Sequence, residues 1–387
     1  MKDLIDRFTG LYIFPFAAIG VLFPLIGQYL DQIGFSGAEI GAVTASATTI
    51  GIISNSFWGF IFHKRDRNKK LILFLCIITA CLALCLMLVK QFLVFLLLYI
   101  VIFFFENPIF PLIDATTIVA NYPFGKARKW GAVGFALGIG VAGFMADRIG
   151  LVSIFPMFSF FLIMTAVFIF ILLRRVNRGQ ESFKEVEALR ISKSGCYRDL
   201  FRNKQYVALI ASAFFISGPT MAHNTYFGFL YRDVGGTVTG MGFALLLMVI
   251  CEMPFMAWSE SICKRFTLEK MILIAMIVSA MRFIWYSTKP DPFLLTITFF
   301  IQGFVNGIFL VEMVKYITKT VRQSMVSLAL PLYTALSSNC GTICCQLAGG
   351  IIVQYYGGSG VYLFFGLLNI IAIIIYMKNK LHRKRLK

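Results

Sequence analysis

Residues 99–114 read YIVIFFFENPIFPLID, placing Glu106 and Asn107 directly behind three phenylalanines and Asp114 eight residues further on. Other apolar runs are interrupted in the same way. His223 and Tyr226 fall in HNTYFGFLY, Glu252 in CEMP, Arg282 in SAMRFIW, Gln302 and Asn306 in IQGFVNG, and Glu312 and Lys315 in VEMVKYIT. These side chains have a definite chemistry. Carboxyls and an imidazole carry protons, a guanidinium grips carboxylates or vicinal hydroxyls in bidentate fashion, and amides donate and accept at once. What they do depends on the solvent around the segments that carry them.

That solvent is set by composition. Of 387 residues, 59% are hydrophobic and 14% charged, and the mean hydropathy is +0.81. A soluble domain is about half apolar and a quarter charged, so a bilayer is the expected surrounding. Twelve apolar runs approach or reach the ~20 residues that a spanning helix needs: 10–30, 38–62, 71–89, 92–118, 130–148, 151–173, 206–230, 239–262, 271–287, 293–317, 325–353 and 361–377. They are continuous stretches rather than short alternating ones, which excludes a transmembrane barrel. The first run is too long for the core of a cleavable signal, and Asp3 and Asp6 precede it. The expected fold is therefore an all-α membrane protein of twelve transmembrane helices.

The net charge of +18 invites a nucleic-acid reading, but the basic residues are confined to gaps between apolar runs, so no nucleic-acid partner is expected. Thirty of the 36 lysines and arginines lie before the first run, in the even-numbered gaps and in the tail. By the positive-inside rule both termini are cytoplasmic, in a cell (inner) membrane. The longest polar segment divides the chain into a six-helix bundle at 1–173, a cytoplasmic loop at 174–204 with room for a short amphipathic helix, and a second bundle at 205–387 with a basic tail. The halves echo one another: YLDQIGFSGAEIG follows the first run and YRDVGGTVTGMG the seventh. Two pseudo-symmetric bundles with a midplane site are a layout of secondary transporters. The nine cysteines show no metal-ligand or disulfide spacing and read as polarizable filler.

FGKARKWGAVGFALGIGVAGFMADRIG, residues 124–150, resembles the start of the fifth helix in the lactose permease and phenylpropionate permease group of the major facilitator superfamily. GVLFPLIGQYLDQIGFSGAEIG, PLIDA, the His-x-x-Tyr of HNTYFGFLY and the Glu-x-Pro of CEMP resemble that group as well, from about residue 15 to 375. The resemblance implies the major facilitator fold. It equates Arg128 with the group's sugar-binding arginine and Arg282 with the ninth-helix arginine, and it turns His223 and Tyr226 toward the cavity. It also implies a gate at the loop between helices two and three. There GFIFHKRDRNKK places His63 where the family has an aspartate, leaving Arg65 and Asp66 as gating candidates. Counting back from KYIT, the group's proton-handling histidine and glutamate fall on Gln302 and Val305, so that proton chemistry does not transfer intact.

Read as residues, ionizable groups at membrane depth are costly and face a bundle interior. On an unbroken helix Glu106 and Asp114 stand roughly 80° apart. Pro108 and Pro111 between them free backbone carbonyls, so both acids line a watery cavity, or Asp114 instead pairs with Arg128 or Lys129 at the inner interface. Arg128 binds cargo or anchors the helix by charge. Glu252 is the leading proton carrier, the alternative being a static acid. Arg282 needs an acid or an anionic cargo, and Glu252 on the preceding helix is its natural partner, whether as a coupling switch or as a brace. Glu106, Asp114 and His223 complete the proton-handling set. Tyr226, Asn107, Gln302 and Asn306 are substrate-binding candidates beside the two arginines. Glu312 and Lys315, three apart near the inner end, form a salt bridge or gate.

The expected function is secondary active transport by alternating access: a proton-coupled symporter of a small organic solute (a carboxylate, sugar or nucleoside) working as a monomer among lipids. The alternative is a proton-coupled antiporter that exports a drug or metabolite. No cofactor is expected, the proton gradient being the energy source. Enzyme and ATP-pump readings lack their motifs, since no GxSxG, HExxH or Walker pattern occurs.

Overall fold

The computed structural model describes residues 2–64, 68–119, 124–176, 197–265 and 267–382. Every regular element among them is helical. In lipid this is forced, because backbone polar groups find partners only within the helix. The elements are α1 (Lys2–Leu22), α2 (Ile26–Gln32), α3 (Gly37–Lys64), α4 (Asn68–Cys85), α5 (Phe92–Glu106), α6 (Ile109–Val119), α7 (Phe124–Ile149) and α8 (Ile154–Val176). There follow the short α9 (Tyr197–Arg202), then α10 (Lys204–Asp233), α11 (Val238–Arg265), α12 (Leu268–Tyr286), α13 (Pro292–Ile297), α14 (Phe299–Thr320), α15 (Val326–Tyr333) and α16 (Cys340–Lys378), with a π-helical turn at Thr334–Asn339 between the last two.

Among the described residues, nine helical stretches are long and apolar enough to cross a bilayer. One of them, Leu328–Lys378, has 51 residues. At ~1.5 Å per residue that is roughly 76 Å, far beyond a ~30 Å hydrocarbon core. It is two passes, joined at Gly357, whose φ of 67° and ψ of −171° suit glycine alone. With α11 and α12 the passes number twelve among the described residues, the count expected from hydropathy.

Several spans are not single helices. The first breaks between α1 and α2, and the fourth breaks at Asn107–Pro108. There Pro108 has no N–H to give the carbonyl of Phe104. The indole Nε1 of Trp58 on α3 donates to it instead, at 3.1 Å, so the break costs no orphaned acceptor. Helix starts follow local chemistry. Ser36 and Glu39 form a reciprocal capping box ahead of α3, with Ser36 N–H to Glu39 Oε2 at 2.8 Å and Glu39 N–H to Ser36 Oγ at 3.3 Å. In the second half Thr237 Oγ1 accepts from Gly240 N–H at the corresponding turn before α11.

The chain divides into two units, 1–186 with 237–246, and 187–236 with 247–387. The opening turns of α11 thus group with the first unit, whereas the sequence placed all of 205–387 together. Asp147 Oδ2 on α7 accepts from both the N–H and the hydroxyl of Thr239 there, at 2.8 and 2.5 Å. Inside the first unit α1 and α7 meet along glycines. A Cβ at Gly134 would lie 2.7 Å from the carbonyl carbon of Ile13, and one at Gly138 would lie 2.8 Å from that of Ala17. Small residues at i and i+4 let helix backbones approach where lipid supplies no hydrophobic drive. In the second unit α10 and α16 pack closely, with Gly218 against the Gly341 backbone and Gly349 against the Tyr226 ring.

Candidate functional site

The first unit builds one cluster at the α1–α7 seam. Asp114 on α6 accepts from the Tyr12 hydroxyl at 2.8 Å and forms an ion pair with Arg128 Nη1 at 3.1 Å. The guanidinium lies over the Phe16 ring, 4.7 Å from its centroid. Tyr12 is buried, but the side chains of Arg128 and Asp114 keep 46% and 26% of their surface. A half-exposed cation, an acid, a phenol and an aromatic face thus meet in one place, the donor and acceptor set a hydroxylated or acidic solute needs. Asp114 is paired with Arg128, one of the two outcomes its sequence position allowed. Tyr12 and Phe16 were not picked out from the sequence. Their signal was the 12/16 spacing facing the glycine-rich α7.

Glu106 is not part of this cluster. It is 1% exposed, and its Oε1 has no hydrogen-bond partner. The sequence estimate of its angle to Asp114 assumed one continuous helix. α6 starts anew after the break at Asn107–Pro108, and Asp114 on it bonds Tyr12 and Arg128. Asn107, at the break, spends its amide hydrogens on Ala47 O at 3.2 Å and Phe103 O at 2.8 Å, stitching α3 to α5. That is a structural use of a side chain expected to bind cargo.

In the second unit Gln302, Asn306 and Glu252 form a row. Gln302 Nε2 donates to Asn306 Oδ1 at 3.0 Å, and Asn306 Nδ2 reaches Glu252 Oε2 at 3.5 Å. Gly303 makes the row possible, since a Cβ there would lie 2.8 Å from the Met248 carbonyl oxygen and 2.9 Å from the Glu252 nitrogen. The α11 and α14 backbones therefore touch at the level of these amides.

The expected Glu252–Arg282 pair does not form. Ser279, Arg282, Phe283 and Tyr286 make the buried stripe of α12 that packs against α16. Asn369 Nδ2 donates to Ser279 Oγ at 2.8 Å, and Phe283 and Tyr286 stack near Tyr362. Arg282 is therefore turned to α10 and α16, while Glu252 is turned to α14. Adjacency in sequence did not decide helix rotation; side-chain packing did. His223 is fully buried, with Nδ1 hydrogen-bonded to the Tyr362 hydroxyl at 2.5 Å. Tyr226, on the same helix, donates its hydroxyl to the backbone carbonyl of Gln346 and so fastens α10 to α16.

Lys315 Nζ and Glu312 Oε1 form the expected i,i+3 ion pair at 3.0 Å, the acid buried and the lysine 41% exposed. Arg65 and Asp66, and the side chain of His63, lie outside the described residues. Among the described residues no group of three or more potential metal ligands occurs.

Apolar passes carrying buried polar clusters define an integral membrane protein, and its family and relatives are membrane transporters rather than enzymes. The chain belongs to the MFS_1 like family, whose model matches residues 5–364. It is 27% identical over 375 residues to the maltose permease of Geobacillus stearothermophilus, covering 96% of this chain and 93% of that one. It is 24% identical over 282 residues to a probable 3-phenylpropionic acid transporter of Escherichia coli, 71% of each chain. Among solved structures it is similar to the nucleoside transporter NupG, with a TM-score of 0.82 at 16% identity, covering 97% of this chain and 99% of that one. The last likeness fixes the fold.

Proposed function

We propose that this transporter is a proton-coupled symporter of a small organic solute, working by alternating access in a cell membrane with both termini cytoplasmic. The observation that carries the reading is the Glu252 row. An acid inside an apolar span has the Asn306 amide as its polar partner, and no ion pair joins it to a cation among the described residues. Such a carboxyl has no fixed counter-charge to hold it ionised. It exchanges a proton with whichever side currently has access, and Asn306 relays its state to Gln302. The proton gradient supplies the energy, and no cofactor is required.

Cargo falls to the Tyr12–Asp114–Arg128–Phe16 cluster. Arg128 gives a bidentate donor, Asp114 an acceptor and Phe16 a ring face for an apolar or sugar surface. Cargo that bonds Asp114 or Arg128 replaces an ion pair already half open to solvent. The relatives' names (maltose, 3-phenylpropionic acid, nucleoside) fall within the solute classes this chemistry admits. Glu312 and Lys315 act as a gate brace. The protein works as a monomer surrounded by lipid.

The test is proton movement on demand. Purified protein in liposomes loaded with a pH dye is offered a panel of sugars, organic acids and nucleosides without an imposed gradient. Co-transport acidifies the lumen only with the true cargo and in proportion to its uptake. Cargo uptake without any proton flux contradicts the reading.

A further inference from the structure

We propose that Arg282 and His223 form an anion site inside the second unit that takes a small monovalent anion, either a free halide or the carboxylate of an organic acid. The site stands apart from the Glu252 row and does not rest on proton coupling. Arg282 is 3% exposed, and none of its three guanidinium nitrogens makes a well-formed hydrogen bond, the neutral Tyr286 hydroxyl beside them being too poorly placed to satisfy them. His223 is 0% exposed and its Nε2 likewise has no partner.

The two side chains share a setting. The guanidinium lies 4.6 Å from the Phe283 ring centroid and 5.2 Å from that of Tyr286, and the imidazole lies 5.7 and 6.2 Å from the same two rings. Phe299 and Tyr362 stand 5.3 and 5.5 Å from the imidazole on other sides. Tyr286 turns its hydroxyl to Thr298 at 3.0 Å and Tyr362 turns its own to His223 Nδ1. In the tautomer in which Tyr362 donates to Nδ1, His223 Nε2 carries the hydrogen and joins Arg282 as an unmet donor. The unmet acceptors nearby, Asn369 Oδ1 and Gln302 Oε1, are neutral amide oxygens and bring no charge to balance Arg282.

The deficit is specific. Arginine has five N–H donors and no acceptor, and it keeps its charge. Ring faces offset only part of what a desolvated cation loses. A water would accept hydrogen bonds but bring no charge. Glu252 is engaged with Asn306, and no ion pair joins Arg282 to another described residue. An anion satisfies the donors and the charge together, and a halide or a terminal carboxylate matches a guanidinium edge beside an imidazole N–H.

The experiment is thermal unfolding of the purified full-length protein in detergent at constant ionic strength. Chloride, bromide, formate, acetate and 3-phenylpropionate are each titrated against a sulfate reference. The wild type shows a saturable rise of about 2–5 °C at hundred-fold excess over Kd. Arg282→Gln removes that rise and melts above the wild type in sulfate, because an unpaired buried charge has gone. Arg148→Gln, which alters an exposed arginine, keeps the rise. Arg282→Lys retains charge but not the fork, and it weakens the anion at least tenfold. A rise with halides assigns the free ion, and a rise confined to carboxylates assigns an organic acid. No saturable rise with any of these anions, an undiminished rise in Arg282→Gln, or unchanged affinity in Arg282→Lys overturns the proposal. None of these results bears on cargo-driven acidification, so the two readings fail separately.

Discussion

The α1–α7 seam makes a sharp prediction, because Gly134 and Gly138 hold the backbones together there while Gly140, two residues on and on another face of α7, meets only Leu246. Gly134→Ala places a methyl 2.7 Å from the Ile13 carbonyl carbon. Carbon–carbon contacts are comfortable at ~3.5–4.0 Å, so the helices must part by about 1 Å. That shift falls on the cluster the seam positions. The Tyr12–Asp114 hydrogen bond, now 2.8 Å, stretches past useful length, and Arg128 loses its place over Phe16. Overpacking of this kind costs about 1–3 kcal/mol of stability, and a 1 Å displacement of binding groups lowers turnover by as much as ~100-fold. Gly140→Ala is the internal control, since its Cβ meets Leu246 Cδ1 at 3.7 Å, an ordinary contact. Its stability change should stay within about 0.5 kcal/mol. The assay pairs thermal unfolding with initial uptake rates in liposomes. If Gly134→Ala melts and transports like Gly140→Ala, the seam does not position the cluster and the argument fails.

Three further outcomes are expected. Arg128→Gln removes the bidentate donor and leaves Asp114 with Tyr12 alone; cargo affinity read by isothermal titration should fall by roughly ten- to hundredfold, with folding retained, given about 1.5–3 kcal/mol for a charge-assisted bond. Trp58→Phe strands the Phe104 carbonyl in an apolar setting and should destabilise the protein by about 1–3 kcal/mol in a thermal melt. Tyr226→Phe should lose only about 1 kcal/mol of stability and leave cargo affinity within twofold, because its hydroxyl is committed to the Gln346 backbone. A large affinity loss in that variant would return Tyr226 to the binding set.

The spans were legible because lipid leaves the chain few choices: an uninterrupted apolar run of the right length must be a helix, and the capping box at Ser36 and Glu39 marks where one starts. The Glu312–Lys315 pair was legible because both residues sit on one helix, where spacing alone sets the distance. Relations between helices were not. Whether Glu252 meets Arg282 depends on how α11 and α12 rotate, and Gly303 and the Ser279–Tyr286 stripe decide that by packing. Asn107 was read as a ligand because it is polar at depth; that its amide hydrogens reach Ala47 O on α3 and Phe103 O on α5 is a contact between helices that no spacing announces. Tyr12 was overlooked because tyrosine is ordinary in membrane spans. Only its placement beside Asp114 gives it a role.

The coupling claim is tested most directly by Glu252→Gln in liposomes under an imposed proton gradient. With the one titrating side chain of its row made neutral and isosteric, the variant should lose concentrative uptake while still exchanging internal for external cargo at near wild-type rates. Uphill accumulation undiminished by the substitution would show that protons drive transport through another group, or not at all.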